Sequence, residues 1–166
     1  MCMYSAYQLH SAERKSLLKQ IPPRYPRVVA DHITVCFGGN NLTLPKAVQK
    51  TEIIGMVDDN NGIQSLVVRV DDSLIRQDGS IYHITWSLDP NKKVSKEIDR
   101  ATEQTYKPVH SNVLVKNLIS PNGMPKLDAN PNWTFVLFDN PIKINTTPVL
   151  KYTRSELNKR ALAKSL

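Results

Sequence analysis

Short apolar runs separated by turn-rich segments predict a chain made mostly of β-strands. Alternation of apolar and polar residues with a period of two, together with many β-branched side chains, favours strands over helices. These runs occupy residues 4–9, 28–37, 51–57, 63–70, 81–88, 112–115 and 133–138. Because many strands and few helices follow one another along the chain, we expect an α+β fold with a largely antiparallel sheet.

One segment near the start of the chain has helical spacing instead. Leu17 and Leu18 precede Ile21 by one helical turn, and Ser11 stands where a helix N-cap is expected. Two prolines follow Ile21 and end this helix, because proline disfavours helical backbone in the residue before it. The polar segment 95–106 predicts a second, short helix with poorer apolar periodicity.

Turn signals and chain length together predict one domain. The turn 58–62 joins two strand runs of similar length and indicates an antiparallel hairpin. The segment 120–132 is rich in Pro, Gly and Asn and predicts a loop. With 166 residues, the chain is long enough for one domain with a core, which we assign to residues 1–150. Residues 151–166 are basic and are expected to form a C-terminal helix or tail.

Composition is typical of a globular protein that does not enter a membrane. Hydrophobic residues make up 40% of the chain and charged residues 22%, and no apolar stretch approaches the roughly 20 residues that span a bilayer. The N-terminus lacks the charged start and apolar run of a secretory signal. Cys2 and Cys36 make a poor disulfide pair, because Cys2 lies near a terminus that is expected to fray. We therefore expect a cytoplasmic protein.

The net charge of +7 favours polyanionic partners such as nucleic acids. Much of this charge lies at the C-terminus, in Lys151, Arg154, Lys159, Arg160 and Lys164. A terminal basic run is more often a solvated surface than a nucleic-acid reader, so charge alone does not assign a function.

The tripeptide His-Ile-Thr occurs in two of the predicted strands. In the first copy His32 and Thr34 share one face, because side chains alternate along a strand. The same alternation is expected to direct Ile33, Val35 and Phe37 to the opposite face. An imidazole and a hydroxyl are thus expected on a face that apolar residues do not occupy.

The second copy repeats this arrangement. His83 and Thr85 share one face, and Tyr82, Ile84 and Trp86 are expected to enter the core on the other. Two such pairs facing each other would hold a phosphate between two groups that exchange protons near neutral pH. One histidine would act as general base and the other as general acid, while the threonines donate hydrogen bonds to phosphate oxygens.

This chemistry requires neither a metal ion nor a cofactor, and the sequence offers no convincing cluster of metal ligands. His10 and His110 lack the repeated context, and we assign them no role.

The two strand-borne His-x-Thr motifs resemble those of the 2H phosphoesterase superfamily. This group includes LigT-like RNA cyclic phosphodiesterases, the cyclic phosphodiesterase domain of fungal tRNA ligases, enzymes that cleave 2′,5′-oligoadenylates, and phage proteins that degrade cyclic-nucleotide immune signals. Residues 82–89 and 107–112 also resemble small phage and bacterial proteins of this kind. The resemblance implies two lobes of antiparallel sheet around a central groove, with outer helices. It implies that a quartet of side chains meets there: His32, Thr34, His83 and Thr85.

The activity implied by the resemblance is metal-independent cleavage of a nucleotide or RNA phosphodiester. The bond would be a 2′,3′-cyclic phosphate or an oligonucleotide linkage, and the sequence leaves open which histidine is the base. Tyr7 is a candidate for stacking on a base, and Arg24 and Arg27 are candidates for a second phosphate contact. Ser111 and Asn112 are further candidates to approach the groove.

Four other functions are alternatives to this activity. The histidine-triad class needs alternating histidines in one strand, which neither copy has, so we exclude it. A phage-type nuclease that degrades cyclic oligonucleotide signals would use the same quartet, so it remains an alternative. A non-catalytic basic RNA-binding or nucleotide-binding module is also open, although the chain lacks the aromatic signature of ribonucleoprotein domains. A degenerate superfamily member is disfavoured because both motifs are intact.

Overall fold

The computed structural model describes residues 3–38, 42–91, 108–152 and 161–164. Within these residues the helices are α1 (Ser11–Gln20) and α2 (Ser111–Leu118). The strands are β1 (Met3–Leu9), β2 (Arg27–Val28), β3 (His32–Phe37), β4 (Thr51–Asp58), β5 (Ile63–Val70), β6 (His83–Leu88), β7 (Thr134–Ile144) and β8 (Thr146–Tyr152). The four residues 161–164 are also helical.

All of these strands belong to one antiparallel sheet. Its order is β7-β4-β5-β6-β3-β1-β8, and β2 pairs with β6 beside this path. The α+β class and the largely antiparallel sheet are therefore confirmed. The two halves of the sheet meet where β3 lies beside β6, and Ile33 opposite Ile84 is the pair that joins them.

Each face of the sheet carries its own core. On one face α1 contributes Leu17 to a cluster that contains Ile33, Ile84 and the fully buried Trp86. The indole nitrogen of Trp86 donates to the carbonyl of Ile21 at 2.9 Å, so its polar atom is satisfied. The expectation that Trp86 enters the core is confirmed, and Tyr82 packs against the same cluster while half-buried.

On the opposite face α2 covers β4 and β5. Leu114, Val115 and Leu118 pack there with Val57 and Val67. This helix does not extend over β3 and the adjoining part of β6, so that part of the sheet borders an open cleft.

The predicted strand at 112–115 is wrong, because these residues lie in α2. The buried side chains are Ser111, Leu114, Val115 and Leu118, which recur at helical spacing. A four-residue window rich in valine hides this period, which appears only when Ser111 and Leu118 are included. The predicted N-cap of α1 is also wrong, since His10 occupies that position and Ser11 is the first helical residue.

The first motif strand does not run unbroken from 28 to 37. Residues 29–31 lie between β2 and β3, and Ala30 has a φ of 42°, which extended backbone cannot adopt. Arg14 of α1 stabilises this bend by donating to the carbonyls of Ala30 at 2.7 Å and Val29 at 3.3 Å. The bend brings the carboxylate of Asp31 beside the ring of His32.

The C-terminal part of the sheet is longer than predicted. β7 continues beyond residue 138, and β8 was not predicted. β8 pairs along the whole of β1 and crosses the expected boundary at residue 150. Pro148 weakens the strand signal, and it is tolerated because β8 is an edge strand. Only Asn145 separates β7 from β8 although they form opposite edges, so the sheet must coil to bring these edges together.

Several other expectations concern particular segments. The hairpin of β4 and β5 and the loop character of 120–132 are confirmed. The predicted helix at 95–106 lies outside the described residues. Cys36 is a free thiol. Among the described residues, no helix has the length and apolar character needed to cross a bilayer.

Candidate active site

The register of β3 and β6 brings the two motifs together. Ile33 lies opposite Ile84 in an antiparallel pair, so His32 faces Thr85 and Thr34 faces His83 across the strands. Both isoleucines are fully buried on the core face, which leaves the quartet on the other face. All four side chains line one cleft of about 420 Å³. Each histidine thus has the threonine of the other motif as its cross-strand neighbour.

His83 is held in one tautomer. Its Nδ1 lies 2.6 Å from the carbonyl oxygen of Ile81, and a carbonyl only accepts, so Nδ1 carries the proton and Nε2 has the free lone pair. His83 is only 8% exposed. Burial lowers the pKa of His83 to about 4, and the nearby positive charge of Arg76 acts in the same direction. His83 is therefore neutral at pH 7.

His32 has a different electrostatic setting. Its Nδ1 lies 2.9 Å from Oδ2 of Asp31, which also accepts from Lys151 at 2.8 Å. The hydrogen bond from His32 is the main reason that the pKa of Asp31 lies far below its ordinary value, and Lys151 and Gln8 add to this effect. Asp31 is thus a carboxylate at neutral pH and orients the imidazole so that Nε2 is its free nitrogen. The ring of Tyr4 packs beside His32 with centroids 4.9 Å apart.

The hydroxyl of Thr85 is connected to α2. Its Oγ1 lies 3.0 Å from Oγ of Ser111, which lies 2.7 Å from Oγ of Ser65 on β5. Ser111 is the first residue of α2, and this helix therefore begins at the cleft wall. As the sequence analysis anticipated, Ser111 and Asn112 both line the cleft.

A buried arginine in the cleft wall was missed by the sequence analysis. Arg76 is only 3% exposed, yet it lines the cleft. Its guanidinium makes a bidentate contact with Asp78, at 2.9 Å from Nε and 2.7 Å from Nη2. The turn at 77–79, directly before the second motif, was the available signal, because it places the preceding charged residue near that motif.

Phe37 also lies in the cleft, where the sequence analysis did not expect it. Ser5 pairs with Cys36 while Ala6 pairs with Thr34, so Val35 is an extra residue on β3. This β-bulge reverses the alternation of faces, and the expectation that Phe37 points away from His32 is wrong. Phe37 is 55% exposed, and the centroid of its ring lies 5.8 Å from that of Tyr4. The guanidinium carbon of Arg76 lies 5.8 Å from the centre of the Phe37 ring.

Tyr7, the predicted stacking residue, lies outside the cleft that holds the quartet. It lies opposite Ile33 in the pairing of β1 with β3 and therefore shares the core face. Its hydroxyl donates to the carbonyl of Lys46 at 2.9 Å, and burial raises the pKa of Tyr7. The alternation along β1 determines this placement, but the sequence did not reveal which face of β1 follows the motif face of β3.

The two predicted arginines also lie away from the cleft lining. Arg24 forms an ion pair with the buried carboxylate of Asp58 at 2.7 Å. That carboxylate also accepts from the hydroxyl of Tyr25 at 2.6 Å, so the half-exposed Arg24 is engaged by a buried acid. Arg27 is exposed in β2, opposite Leu88. Neither arginine is among the residues that line the cleft.

His110, to which the sequence analysis gave no role, lines the cleft next to Ser111. It occupies the N-cap position of α2, and its side chain does not cap the helix. No sequence signal distinguished it, because it becomes part of the wall only through the packing of α2 against β4 and β5. Among the described residues, no group of three or more His, Cys, Asp or Glu side chains is arranged to hold a metal ion.

Comparisons of the chain with protein-family models, with curated proteins and with solved structures find no match.

Proposed function

We propose that the cleft cleaves a phosphodiester bond in a nucleotide or RNA by general acid–base catalysis of the 2H type. One observation carries the proposal: the two His-Ile-Thr motifs meet in a reciprocal pair within one cleft, and their histidines have different electrostatic settings. A pair of imidazoles with distinct environments supports a division into acid and base.

His83 is the general base in this proposal. Its low pKa keeps Nε2 unprotonated at neutral pH, and its bond to the carbonyl of Ile81 prevents the tautomer that would protonate Nε2. For a 2′,3′-cyclic phosphate, Nε2 takes a proton from the water whose oxygen attacks phosphorus. For an oligonucleotide, the ribose 2′-OH replaces water as the nucleophile.

His32 is the general acid. When protonated it donates from Nε2 to the ribose oxygen that leaves phosphorus as the P–O bond breaks. The carboxylate of Asp31 on Nδ1 orients the ring and stabilises its positive charge, as a carboxylate does in hydrolase triads. After one turnover His83 holds the proton and His32 has lost one, and exchange with solvent restores both.

The phosphate is held by uncharged and charged donors from three directions. Thr34 and Thr85 donate hydroxyl protons to the non-bridging oxygens as negative charge grows on them. Arg76 lies in the same wall and contributes a guanidinium group that Asp78 holds in place. These groups supply acid, base and charge stabilisation, so the proposed reaction requires no metal ion or cofactor.

Phe37, which lies in the cleft where Tyr7 does not, supports a nucleotide as substrate. Its partly exposed ring lies in the same cleft as the quartet, and an aromatic face stacks on any base. The net charge of +7 also favours a polyanion. The two halves of the sheet, each carrying one motif, are compatible with the two-lobed arrangement of the 2H superfamily.

The test is a panel of substrates incubated with the protein in the presence of EDTA. The panel contains 2′,3′-cyclic nucleotides, 2′-5′ and 3′-5′ oligoadenylates, and cyclic di- and trinucleotides. Turnover of at least one class is expected, with losses of about 10²-fold or more for His32→Ala and His83→Ala. Cleavage of cyclic oligonucleotides alone would identify the phage-type alternative.

A matched control replaces a histidine outside the cleft. His10→Ala removes an exposed imidazole that contacts Thr147 and should leave turnover unchanged. The proposal is rejected if no substrate is cut, or if both cleft variants keep their activity. Nucleotide affinity that survives both substitutions without turnover would instead support the binding-module alternative.

A further inference from the structure

Three hydroxyl groups from different elements form a chain that ends at the cleft. Ser65 on β5, Ser111 on α2 and Thr85 on β6 are linked by oxygen–oxygen distances of 2.7 Å and 3.0 Å. Ser65 is fully buried and Ser111 is 6% exposed, so solvent does not compete for the middle of the chain. Thr85 and Ser111 line the cleft, whereas Ser65 lies behind them outside its lining.

The position of the Ser111 proton distinguishes three arrangements of this chain. Each hydroxyl has one proton and two lone pairs, so Ser111 donates to Ser65, donates to Thr85, or accepts from both. If Ser111 donates to Ser65 or accepts from both, Thr85 donates to Ser111 and presents a lone pair to the cleft. If Ser111 donates to Thr85, Ser65 donates to Ser111 and the proton of Thr85 is free to point into the cleft. An anionic phosphate at Thr85 favours this last arrangement, because a lone pair would repel it.

We propose that Ser111 is a positioning residue that directs the hydroxyl proton of Thr85 toward the substrate phosphate. Ser65 supports it by donating to the Ser111 oxygen, and donation along a chain strengthens each successive bond. This inference rests on the proposed phosphodiesterase function. It adds that the two threonines are unequal, and that α2 acts on the reaction through Thr85.

Thr34 provides an internal comparison. Within the described part of the chain, no side-chain hydrogen bond involves its hydroxyl, although it lines the same cleft. Loss of the Ser111 hydroxyl should therefore change the side-chain rotamer and the catalytic contribution of Thr85 and leave those of Thr34 unchanged. A general loosening of the cleft would change both.

The first experiment needs no substrate. Three-bond NMR couplings from the methyl carbon of threonine to the backbone report its χ1 angle. In the parent protein Thr85 is expected in one χ1 rotamer, because a hydrogen bond selects among the wells open to threonine. In Ser111→Ala the couplings of Thr85 should become averaged, while those of Thr34 stay unchanged. Ser111→Thr, which keeps the hydroxyl, should restore the parent couplings.

The second experiment is a double-mutant cycle on turnover. Thr85→Val should lower kcat by about 10²-fold, the usual cost of one donor to a developing charge. Ser111→Ala should lower kcat by about tenfold in the parent and by less than about twofold in the Thr85→Val background. In the Thr34→Val background the loss from Ser111→Ala should remain about tenfold. KM should change little.

Ser87→Ala is the matched control for removing a buried serine. Ser87 lies on β6 two residues after Thr85, and its hydroxyl donates to Gln64 at 2.6 Å instead of joining the chain. This variant should lose stability without altering the Thr85 couplings or kcat. Ser65→Ala should give a smaller loss of kcat than Ser111→Ala.

Two results would overturn the inference. One is a Thr85 rotamer that does not respond to Ser111→Ala, which is decisive even if no substrate is found. The other is an equal effect of Ser111→Ala in the Thr85→Val and Thr34→Val backgrounds. Absence of turnover in the parent protein would reject the proposed function instead, so the two failures are distinguishable.

Discussion

Acidification from pH 7.5 to 5.0 is expected to destabilise the fold through His83. The pKa of its buried side chain is about 4, whereas a histidine in an unfolded chain has a pKa of about 6.5. Between these two pKa values His83 binds a proton in the unfolded chain but stays neutral in the folded protein. The contribution of His83 to the free energy of unfolding is therefore complete above pH 6.5, declines as the pH falls, and is lost near pH 4.

The size of this effect follows from the two pKa values. At pH 5.0 about 97% of His83 side chains are protonated in the unfolded chain, against about 10% in the folded protein. The difference in proton binding lowers the free energy of unfolding by about 2 kcal/mol relative to pH 7.5. Asp31 does not contribute in this range, because its pKa is lowered from a value that already lies below pH 5.

Urea unfolding at a series of pH values measures the effect. His83→Asn is the informative variant, because its amide nitrogen can still donate to the carbonyl of Ile81 but cannot titrate. Between pH 7.5 and 5.0 the free energy of unfolding should fall in both proteins, and the fall should be about 2 kcal/mol smaller in His83→Asn than in the parent. Val57→Ala, which removes buried methyl groups from β4, should be less stable than the parent but keep its pH dependence.

Equal pH dependence of the parent and His83→Asn would show that burial does not keep His83 neutral in the folded protein. A direct NMR titration of the His83 ring gives the same decision, since a midpoint near 6.5 would contradict burial in the neutral form. Such a midpoint would also remove the basis for assigning His83 as the general base.

Further outcomes concern the cleft. Because the pKa of His83 is about 4, protonation of this base should lower kcat/KM only as the pH approaches 4. If protonation of His83 instead lowered kcat/KM tenfold per pH unit just below pH 6.5, His83 would not be the base proposed here. Asp31→Asn should lower kcat by at least about tenfold without raising KM, and an unchanged kcat would contradict orientation of His32. Phe37→Leu should raise KM for nucleotides by about tenfold and leave kcat unchanged; equal KM values would exclude stacking. Tyr7→Phe should leave KM unchanged and lower the free energy of unfolding, measured in urea, by about 1 kcal/mol. A raised KM would show that Tyr7 contacts the substrate.

Much of the sheet was predictable from short apolar runs and from alternation. β4 and β5 are buried on both faces and were recognisable as apolar runs between turns, whereas alternation along β6 correctly assigned Trp86 to the core. The errors have local causes. α2 was predicted as a strand because its valines favour strands within a short window, and packing of Leu114 and Leu118 against the sheet selects the helix instead.

The candidate site shows a sharper division. Alternation within each motif correctly predicted that His32 and Thr34 share a face, because the bulge of β3 begins only after Thr34. Beyond that point the prediction for Phe37 is wrong, since a bulge depends on how β3 pairs with β1. Arg76 and His110 were missed for a related reason: they join the cleft through the packing of a turn and a helix against the sheet.

The sequence by itself determined most of the strands and the polarity of each His-Ile-Thr face, and the proposed chemistry was inferred from those faces. Only the tertiary structure decided that β3 and β6 are neighbours in a reciprocal register, that His83 is buried and His32 pairs with a carboxylate, and that Phe37 lines the cleft while Tyr7 lies in the core. The physical reason is the range of the interactions involved. Period and propensity act between residues a few positions apart, whereas register, bulges and desolvation arise when segments distant in sequence pair and exclude water.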